Sequence, residues 1–298
     1  MADEYAQVIA TFSRRMQLRL SSGEEVTARI KGKRLKAVCG DQVEAEPIAQ
    51  ESDWLITRVL DRETALTRPN LRGQAEVLAA NFDLLVAVAA PQPPPDWFIV
   101  DRYLAAAENL GIAAMVVYNK TDLTDPSSEK ADLEDYSRIG YVAIRCSAAS
   151  GEGMPEVQAA IDSHTAIIVG QSGVGKSSMI NQLMGGEEQL TAAISAKTGE
   201  GKHTTVNSVM LELPNGGKVI DSPGVRDFAP ALGSAPDVIR GFREVDEFGH
   251  QCRFANCQHL REPGCAVKRA VDEGPISPRR YESYRRLLNL TSKLDARS

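Results

Sequence analysis

The chain has 298 residues, 43% of them hydrophobic and 25% charged, with a net charge of −6; this describes an ordinary globular protein with room for two or three domains. Its longest apolar runs, 84–90 and 112–118, fall far short of the roughly 20 residues that span a bilayer. The N-terminus "MADEYAQVIA" has no basic start leading into an apolar core, so no signal peptide is expected and a cytoplasmic location is the default.

Residues 1–70 read as short strands between turns. Apolar and polar residues alternate through "QLRLSSGEEVTARI", with breaks at Gly32, Gly40 and Asp41. "DWLITRVLDRETALTRPN" reads as a last hairpin turning near Arg62–Glu63. A small β-barrel of the oligonucleotide-binding (OB-fold) kind is expected.

Residues 71–228 alternate strands and helices. "DLLVAVAA" is a buried strand, "DWFIVDRYLAAAENLG" an amphipathic helix with glycine after its end, and "AAMVVYN" a second strand. An acidic helix in 128–138, strand "YVAIRCSA" and helix "MPEVQAAIDS" follow. Then come strand "TAIIVG", a helix from Lys176, and the strand pair "NSVMLEL" and "KVIDSPG". This texture predicts an α/β domain with a parallel sheet covered on both faces. Residues 229–298 predict a mostly helical third domain. There "PDVIRGFREVDEF" places Val238, Ile239, Phe242 and Val245 on one helix face, and "YESYRRLLNLTSKL" forms a closing helix.

"GQSGVGKS", Gly170–Ser177, fits the phosphate-loop pattern between a strand and a helix. Its glycines let successive N–H groups face phosphate oxygens, and the helix N-terminus adds its dipole. The expected phosphate contacts are Gly170, Gln171, Ser172, Gly173, Val174, Gly175, Lys176, Ser177 and Ser178. Lys176 supplies charge at the β/γ phosphates, and Ser177 can ligate Mg²⁺. "NKTD", Asn119–Asp122, closes a buried strand. The Asp122 carboxylate can accept from guanine's ring N–H and exocyclic amine, a donor pair that adenine lacks. Asn119 and Lys120 would brace the base and the loop. "CSA" can offer Ser147 and the Ala148 backbone N–H to the guanine carbonyl. In "DSPG" Asp221 can hold Mg²⁺ through water and the Gly224 amide can sense the γ-phosphate. In "GKHTT" Thr204 or Thr205 can complete the metal shell.

The order of these pieces differs from that of common GTPases, because N-K-x-D and S-A precede the phosphate loop. Cutting the usual domain after D-x-x-G and joining its old ends yields this order, a circular permutation. The residue after "DSPG" is Val225, where Ras-like GTPases place a glutamine that orients the attacking water. His203 is the nearest catalytic candidate by sequence; the alternative is a solvent-exposed loop histidine.

Cys252, Cys257, His259 and Cys265 make a closed three-thiolate, one-imidazole set suited to one structural Zn²⁺. Buried thiols that bind nothing, or His250 in place of His259, remain alternatives. The five cysteines suggest no disulfide framework. Basic residues crowd both ends: Arg14, Arg15, Arg19, Arg29, Lys31, Lys33, Arg34 and Lys36, then Arg279, Arg280, Arg285, Arg286, Lys293 and Arg297. They could hold a polyanion or be solvated surface charge.

With "GD" at 40–41, "NKTD", "GQSGVGKSSMIN", "GKHTT", "DSPG" and the Cys/Cys/His/Cys set, the chain resembles the RsgA (YjeQ) family of circularly permuted GTPases over essentially its whole length. The resemblance implies an OB-fold over 1–70, a permuted GTPase over 71–228 and a zinc-binding domain over 229–298. It implies GTP hydrolysis to GDP, stimulated by the small ribosomal subunit, in late maturation of that subunit through rRNA binding. It also implies a catalytic part for His203, and a monomer with no membrane partner is expected. The competing expectations are a nucleotide-gated RNA-binding module with incidental hydrolysis, and an ATP-using kinase-like enzyme. Lys202 and Ser222 stand where the family favours arginine and threonine.

Overall fold

The computed structural model describes residues 4–12, 15–32, 35–69, 75–124, 130–186, 206–214, 216–222 and 232–295. Five strands form the barrel: β1 (Glu4–Phe12), β2 (Met16–Leu20), β3 (Glu25–Ile30), β4 (Gln42–Pro47) and β5 (Trp54–Val59). β1 pairs with β2, β2 with β3, β3 with β5 in parallel, β5 with β4, and β4 closes on β1. Alternation turns Val8, Leu18, Ala28, Val43 and Ile56 inward to fill it.

The strand β1 belongs to both the barrel and the central part of the sheet. Its first half, Glu4–Gln7, closes the barrel against β4, while Ala10–Phe12 pairs with Val206–Val209 of β12 (Val206–Glu212). A register irregularity between Val8 and Ala10, where β1 runs against β2, bends the strand between those roles. The barrel and the central domain therefore share one continuous eleven-stranded sheet.

The hairpin expected around Arg62–Glu63 does not form. β5 stays in the barrel, and β6 (Ala65–Pro69) pairs forward with β7 (Ala75–Ala80) as a separate ribbon. The buried Asp41 carboxylate explains the break: it accepts Arg62 Nε and Nη2 at 2.7 and 2.8 Å and the Val38 N–H at 2.8 Å. That pins the chain to the barrel just beyond β5. Glu63 N–H then donates to Asn81 Oδ1 at 2.9 Å and Thr64 Oγ1 to the Phe82 carbonyl at 2.6 Å, handing β6 to its new partner. Gly40 lies at φ +95°, where an added Cβ would sit 1.9 Å from the Ala80 carbonyl oxygen. The "GD" pair is thus a joint between barrel and ribbon.

The central sheet runs β10 (Val142–Arg145), β9 (Ala113–Tyr118), β8 (Leu84–Ala89), β11 (Thr165–Val169), β13 (Lys218–Asp221), β12. All neighbours are parallel except β12, which runs antiparallel to β13. All six residues of β8 are buried, as its unbroken apolar run requires. Helices α1 (Trp97–Leu110) and α2 (Lys130–Arg138) cover one face through Tyr103, Leu104 and Tyr136. The other face is covered by α3 (Met154–Ile161) and α4 (Lys176–Leu183) through Val157, Ile161, Met179 and Ile180.

The C-terminal lobe comprises α5 (Ala235–Arg240), α6 (Arg243–Gly249), α7 (Ala266–Glu273) and α8 (Pro278–Asp295). Sequence pattern predicts one helix over 236–248, but the chain breaks at Gly241–Phe242. Phe242 is extended (φ −119°, ψ 95°) and turns its ring into the core. Gly241 lies so near α1 that a Cβ there would come within 2.7 Å of Ala105 Cβ. The lobe's core accordingly includes Phe98, Ala105 and Ala106 of α1.

Asp41→Ala leaves the Arg62 guanidinium and the Val38 amide without their shared acceptor. It should lower unfolding free energy by about 3 kcal/mol, read from urea denaturation.

Candidate nucleotide site and metal cluster

The loop after β11 is shaped by backbone crowding. A Cβ on Gly170 would lie 2.2 Å from the Val88 carbonyl oxygen, and one on Gly175 would lie 2.4 Å from Asn119 Nδ2. Gly173 and Gly175 also adopt φ +83° and +91°, which disfavour any side chain. Lys176 opens α4 and is buried; its Nζ donates to the Gly170 and Gln171 carbonyls at 2.7 and 2.6 Å, folding its charge back across the loop.

The "NKTD" segment leaves β9 and locks onto that loop. Asn119 Nδ2 donates to the Val174 carbonyl at 3.0 Å, and Lys120 Nζ donates to the Gly173 and Gln92 carbonyls at 2.6 and 2.8 Å. Asp122 Oδ1 accepts from Ser147 Oγ at 2.5 Å, which orients the carboxylate. The Ala148 N–H donates to Asn119 Oδ1 at 3.0 Å. It ties the third loop to the second.

A cleft of about 620 Å³ runs between Asn119, Lys120, Asp122, Ala148 and Gly175. It meets a hollow of about 290 Å³ lined by Ser172, Gly173, Lys176 and Ser177; Lys120, Gly175 and Ser178 border both. A carboxylate able to accept two donors therefore stands at one end, and a loop able to bind phosphates stands at the other. Asp221 is buried at the end of β13, which neighbours β11. The Ser208 and Ser222 hydroxyls, 2.8 Å apart, join β12 to the end of β13. His203, Thr204, Thr205, Gly224 and Val225 lie outside the described residues.

The Gln171 side chain reaches the start of α1, where its Oε1 accepts the Asp96 N–H at 2.9 Å. Burial pushes the Cys146 thiol up to about 12, so this cysteine beside Asn119 stays protonated and unreactive.

Cys252, Cys257, His259 and Cys265 converge, with all four ligand atoms within 4.8 Å of one another. His259 Nδ1 lies 3.4 Å from Cys252 Sγ and 3.5 Å from Cys265 Sγ, and those two sulfurs are 3.9 Å apart. Tetrahedral bonds of about 2.3 Å to sulfur put two sulfurs about 3.8 Å apart, so the cluster can hold a metal ion. His250 is not part of the cluster. Burial raises the Cys257 thiol to about 12 and lowers the His259 pKa. A bound cation would reverse the first effect by favouring thiolate.

The basic ends look different in space. Arg19 pairs with Glu25 and Glu212, Arg29 with Glu51 and Asp53, and Arg15 approaches Asp53. Arg280 is buried against Asp101 and Glu244, with Arg279 beside it on Asp101 and Asp132. Apart from Glu25, these internal partners sit tens to hundreds of residues away, so a linear charge profile misses them. The sequence signal for the buried contact was slight: Asp101 lies inside an apolar helix, and Arg279–Arg280 opens another.

A phosphate loop and an N-K-x-D segment braced together at one end of a parallel sheet, with the second preceding the first in the chain, define a circularly permuted phosphate-loop GTPase. The family model described as RsgA GTPase matches residues 59–230. The small ribosomal subunit biogenesis GTPase RsgA of Azotobacter vinelandii is 41% identical over 94% of this chain and 84% of its own. The protein of the same name from Ectopseudomonas mendocina is 42% identical over 84% of this chain and 74% of its own. The crystal structure of YjeQ from Thermotoga maritima superposes with a TM-score of 0.75 at 29% identity, covering 97% of this chain and 99% of that one. YloQ, a circularly permuted GTPase, shares the fold with a TM-score of 0.72 at 22% identity, over 100% of this chain and 96% of its own. The chain belongs to the RsgA GTPase family.

Asn119→Ala removes the hydrogen bonds to Val174 and Ala148. At roughly 1 kcal/mol each, GDP affinity should fall about 30-fold by fluorescence titration.

Proposed function

We propose that this protein hydrolyses GTP to GDP in response to the small ribosomal subunit, acting through rRNA contact late in that subunit's maturation, as a cytoplasmic monomer. The observation that carries it is the pair of adjoining hollows, one at Asp122 and one at Lys176, that share Lys120, Gly175 and Ser178, in a chain 41% identical to a protein named for small-subunit biogenesis. The organisation that suits this role is a barrel over 1–70, a GTPase domain over 71–228 and a metal-binding domain over 229–298.

Asp122 accepts the guanine ring N–H and amine, held in position by Ser147. Adenine leaves that carboxylate unmatched. The amides of Gly173–Ser178 and the α4 N-terminus receive the phosphates, and Lys176 turns from the loop carbonyls to the β/γ oxygens. The Ser177 hydroxyl and the buried Asp221 carboxylate, hard oxygen donors on adjacent elements, suit Mg²⁺. Thr204 or Thr205 would complete that set, and the Gly224 amide would sense the γ-phosphate. When bound, the ion neutralises charge between the β- and γ-phosphates. Val225 cannot orient water, so His203 supplies the missing group when RNA contact stimulates hydrolysis. Polyanion contact rests on cations other than the buried Arg280, such as Lys31, Lys36 and Lys293.

GTP turnover with purified small subunits should exceed basal turnover by tenfold or more, a small part of what accessory groups supply elsewhere. His203→Ala should abolish that rise and leave subunit binding intact. No rise at low salt and saturating GTP would overturn the proposal. Unchanged turnover in His203→Ala would favour a nucleotide-gated RNA-binding module, the reading that Val225 supports.

Three thiolates and one imidazole at these separations favour structural zinc. Metal analysis should return about one zinc per chain. Stripping it with a chelator should remove hydrogen-exchange protection from α7, whose first amide (Ala266) donates to Cys252 Sγ at 3.3 Å.

A further inference from the structure

The phosphate loop and the C-terminal lobe are connected through α1 by an unbroken series of buried or half-buried contacts. At the loop end, Gln171 Oε1 holds the Asp96 N–H at 2.9 Å. Asp96 is the N-cap of α1; its Oδ1 accepts the Phe98 and Ile99 amides at 3.1 and 3.3 Å, so its backbone moves with the helix. Five residues on, about 7.5 Å along the axis, stands the fully buried Asp101. Its Oδ1 accepts Arg280 Nη1 at 2.6 Å and the Tyr136 hydroxyl at 2.7 Å, and its Oδ2 accepts Arg279 Nη1 at 3.2 Å.

Arg280 is held from the other side. Its Nε and Nη2 donate to the two Glu244 oxygens at 2.8 and 3.0 Å, and its guanidinium stacks 4.7 Å over the Phe242 ring. The adjoining turn of α8 reaches the metal cluster. Tyr281 OH donates to the His259 carbonyl at 2.6 Å, and Tyr284 OH donates to the Gln258 carbonyl at 2.8 Å. Farther along α1, Glu108 accepts Arg243 Nε at 2.8 Å and Asn109 Nδ2 donates to the Asp237 carbonyl at 2.8 Å. The helix is fastened to the lobe along its length and to the phosphate loop at its tip.

We propose that Asp101 and Arg280 are positioning residues for nucleotide binding, locking α1 to the C-terminal lobe so that Asp96 meets Gln171 and fixes the start of the phosphate loop. Neither residue touches the nucleotide. The ion pair sets the seat of the helix, the helix sets one backbone N–H, and that N–H sets the side chain of a loop residue. The lobe that carries the metal cluster thereby tunes guanine-nucleotide affinity from a distance. The proposal rests on the nucleotide reading of the cleft.

The test is a double-mutant cycle read by titration with a fluorescent GDP, alongside thermal melting. Gln171→Met keeps the side chain's size and removes its acceptor; Asp101→Asn keeps the shape and removes the charge. Each single variant should weaken GDP binding about threefold to tenfold, the range of one hydrogen bond. The double variant should be within about twofold of the weaker single one, because both changes release the same contact. Asp101→Asn that lowers the melting temperature but leaves GDP affinity unchanged would reduce the pair to a structural brace and overturn the proposal. Multiplying effects in the double variant would overturn it too. If Asp101→Asn fails to fold, Arg280→Lys, which retains a cation but loses the two-pronged grip on Glu244, takes its place in the cycle. Failure of the unaltered protein to bind GDP would instead refute the nucleotide reading.

Discussion

A buried guanidinium, Arg280, is the centre of the contact that seats the C-terminal lobe on the nucleotide domain. It lies between Asp101 of α1 and Glu244 of α6, and all three side chains are almost wholly removed from water. Burial opposes its charge, but Asp101 and Glu244 outweigh that and hold its pKa well above the ordinary value. Burial likewise raises the pKa of the Tyr136 hydroxyl, so it remains a donor to Asp101. Taking an ion out of water costs several kcal/mol even after relaxation, and only near-complete hydrogen bonding offsets it. Such a contact tolerates one arrangement of its three helices and penalises others. Nonpolar packing of Phe98, Ala105 and Phe242 around it would permit sliding; the ion pair does not.

The nucleotide site follows a similar logic in its backbone. Its loops come from separate parts of the chain, yet Asn119 bonds the loop at Val174 and the loop at Ala148 with its two ends. This brace works whatever the chain order, because it depends on β10, β9, β8 and β11 lying side by side. Permutation relocates the termini and leaves those neighbours untouched. Close backbone approach does the rest: at Gly170 and Gly175 any Cβ would collide with Val88 or Asn119. The site is assembled in the protein's own hydrogen bonds, which lowers the ordering cost when a ligand binds.

What could be read in the sequence was chemistry confined to a few consecutive residues. "GQSGVGKS" and "NKTD" combine residue type, spacing and a preceding buried strand, and their place in the chain exposed the permutation. The Cys/His set was legible because metal ligation needs rare residue types, and it converges with His259 and without His250. Interactions that cross long stretches of chain were not legible. Arg62 reads as part of a turn until Asp41, twenty-one residues earlier, is seen to anchor it. Arg29 and Arg279 read as free basic charge until Glu51, Asp53 and Asp101 are placed beside them. Periodicity marked Val238, Phe242 and Val245 as core residues, which they are, although they sit on two helices and the joint between them. It could not show that Gly241 breaks the helix to admit α1.

The division of β1 between the barrel and β12 sets the order in which the sheet can be completed. Ala10–Phe12 finds its partner only when Val206–Val209 has been synthesised, nearly two hundred residues later. At about 5–20 residues per second that is on the order of ten to forty seconds. Through that interval the barrel can close with its own strands, because Glu4–Gln7 already pairs with β4. The outer half of β1, however, remains an open sheet edge, the kind of template on which chains misassociate. The growing chain must keep that edge covered or well solvated until its own far end arrives.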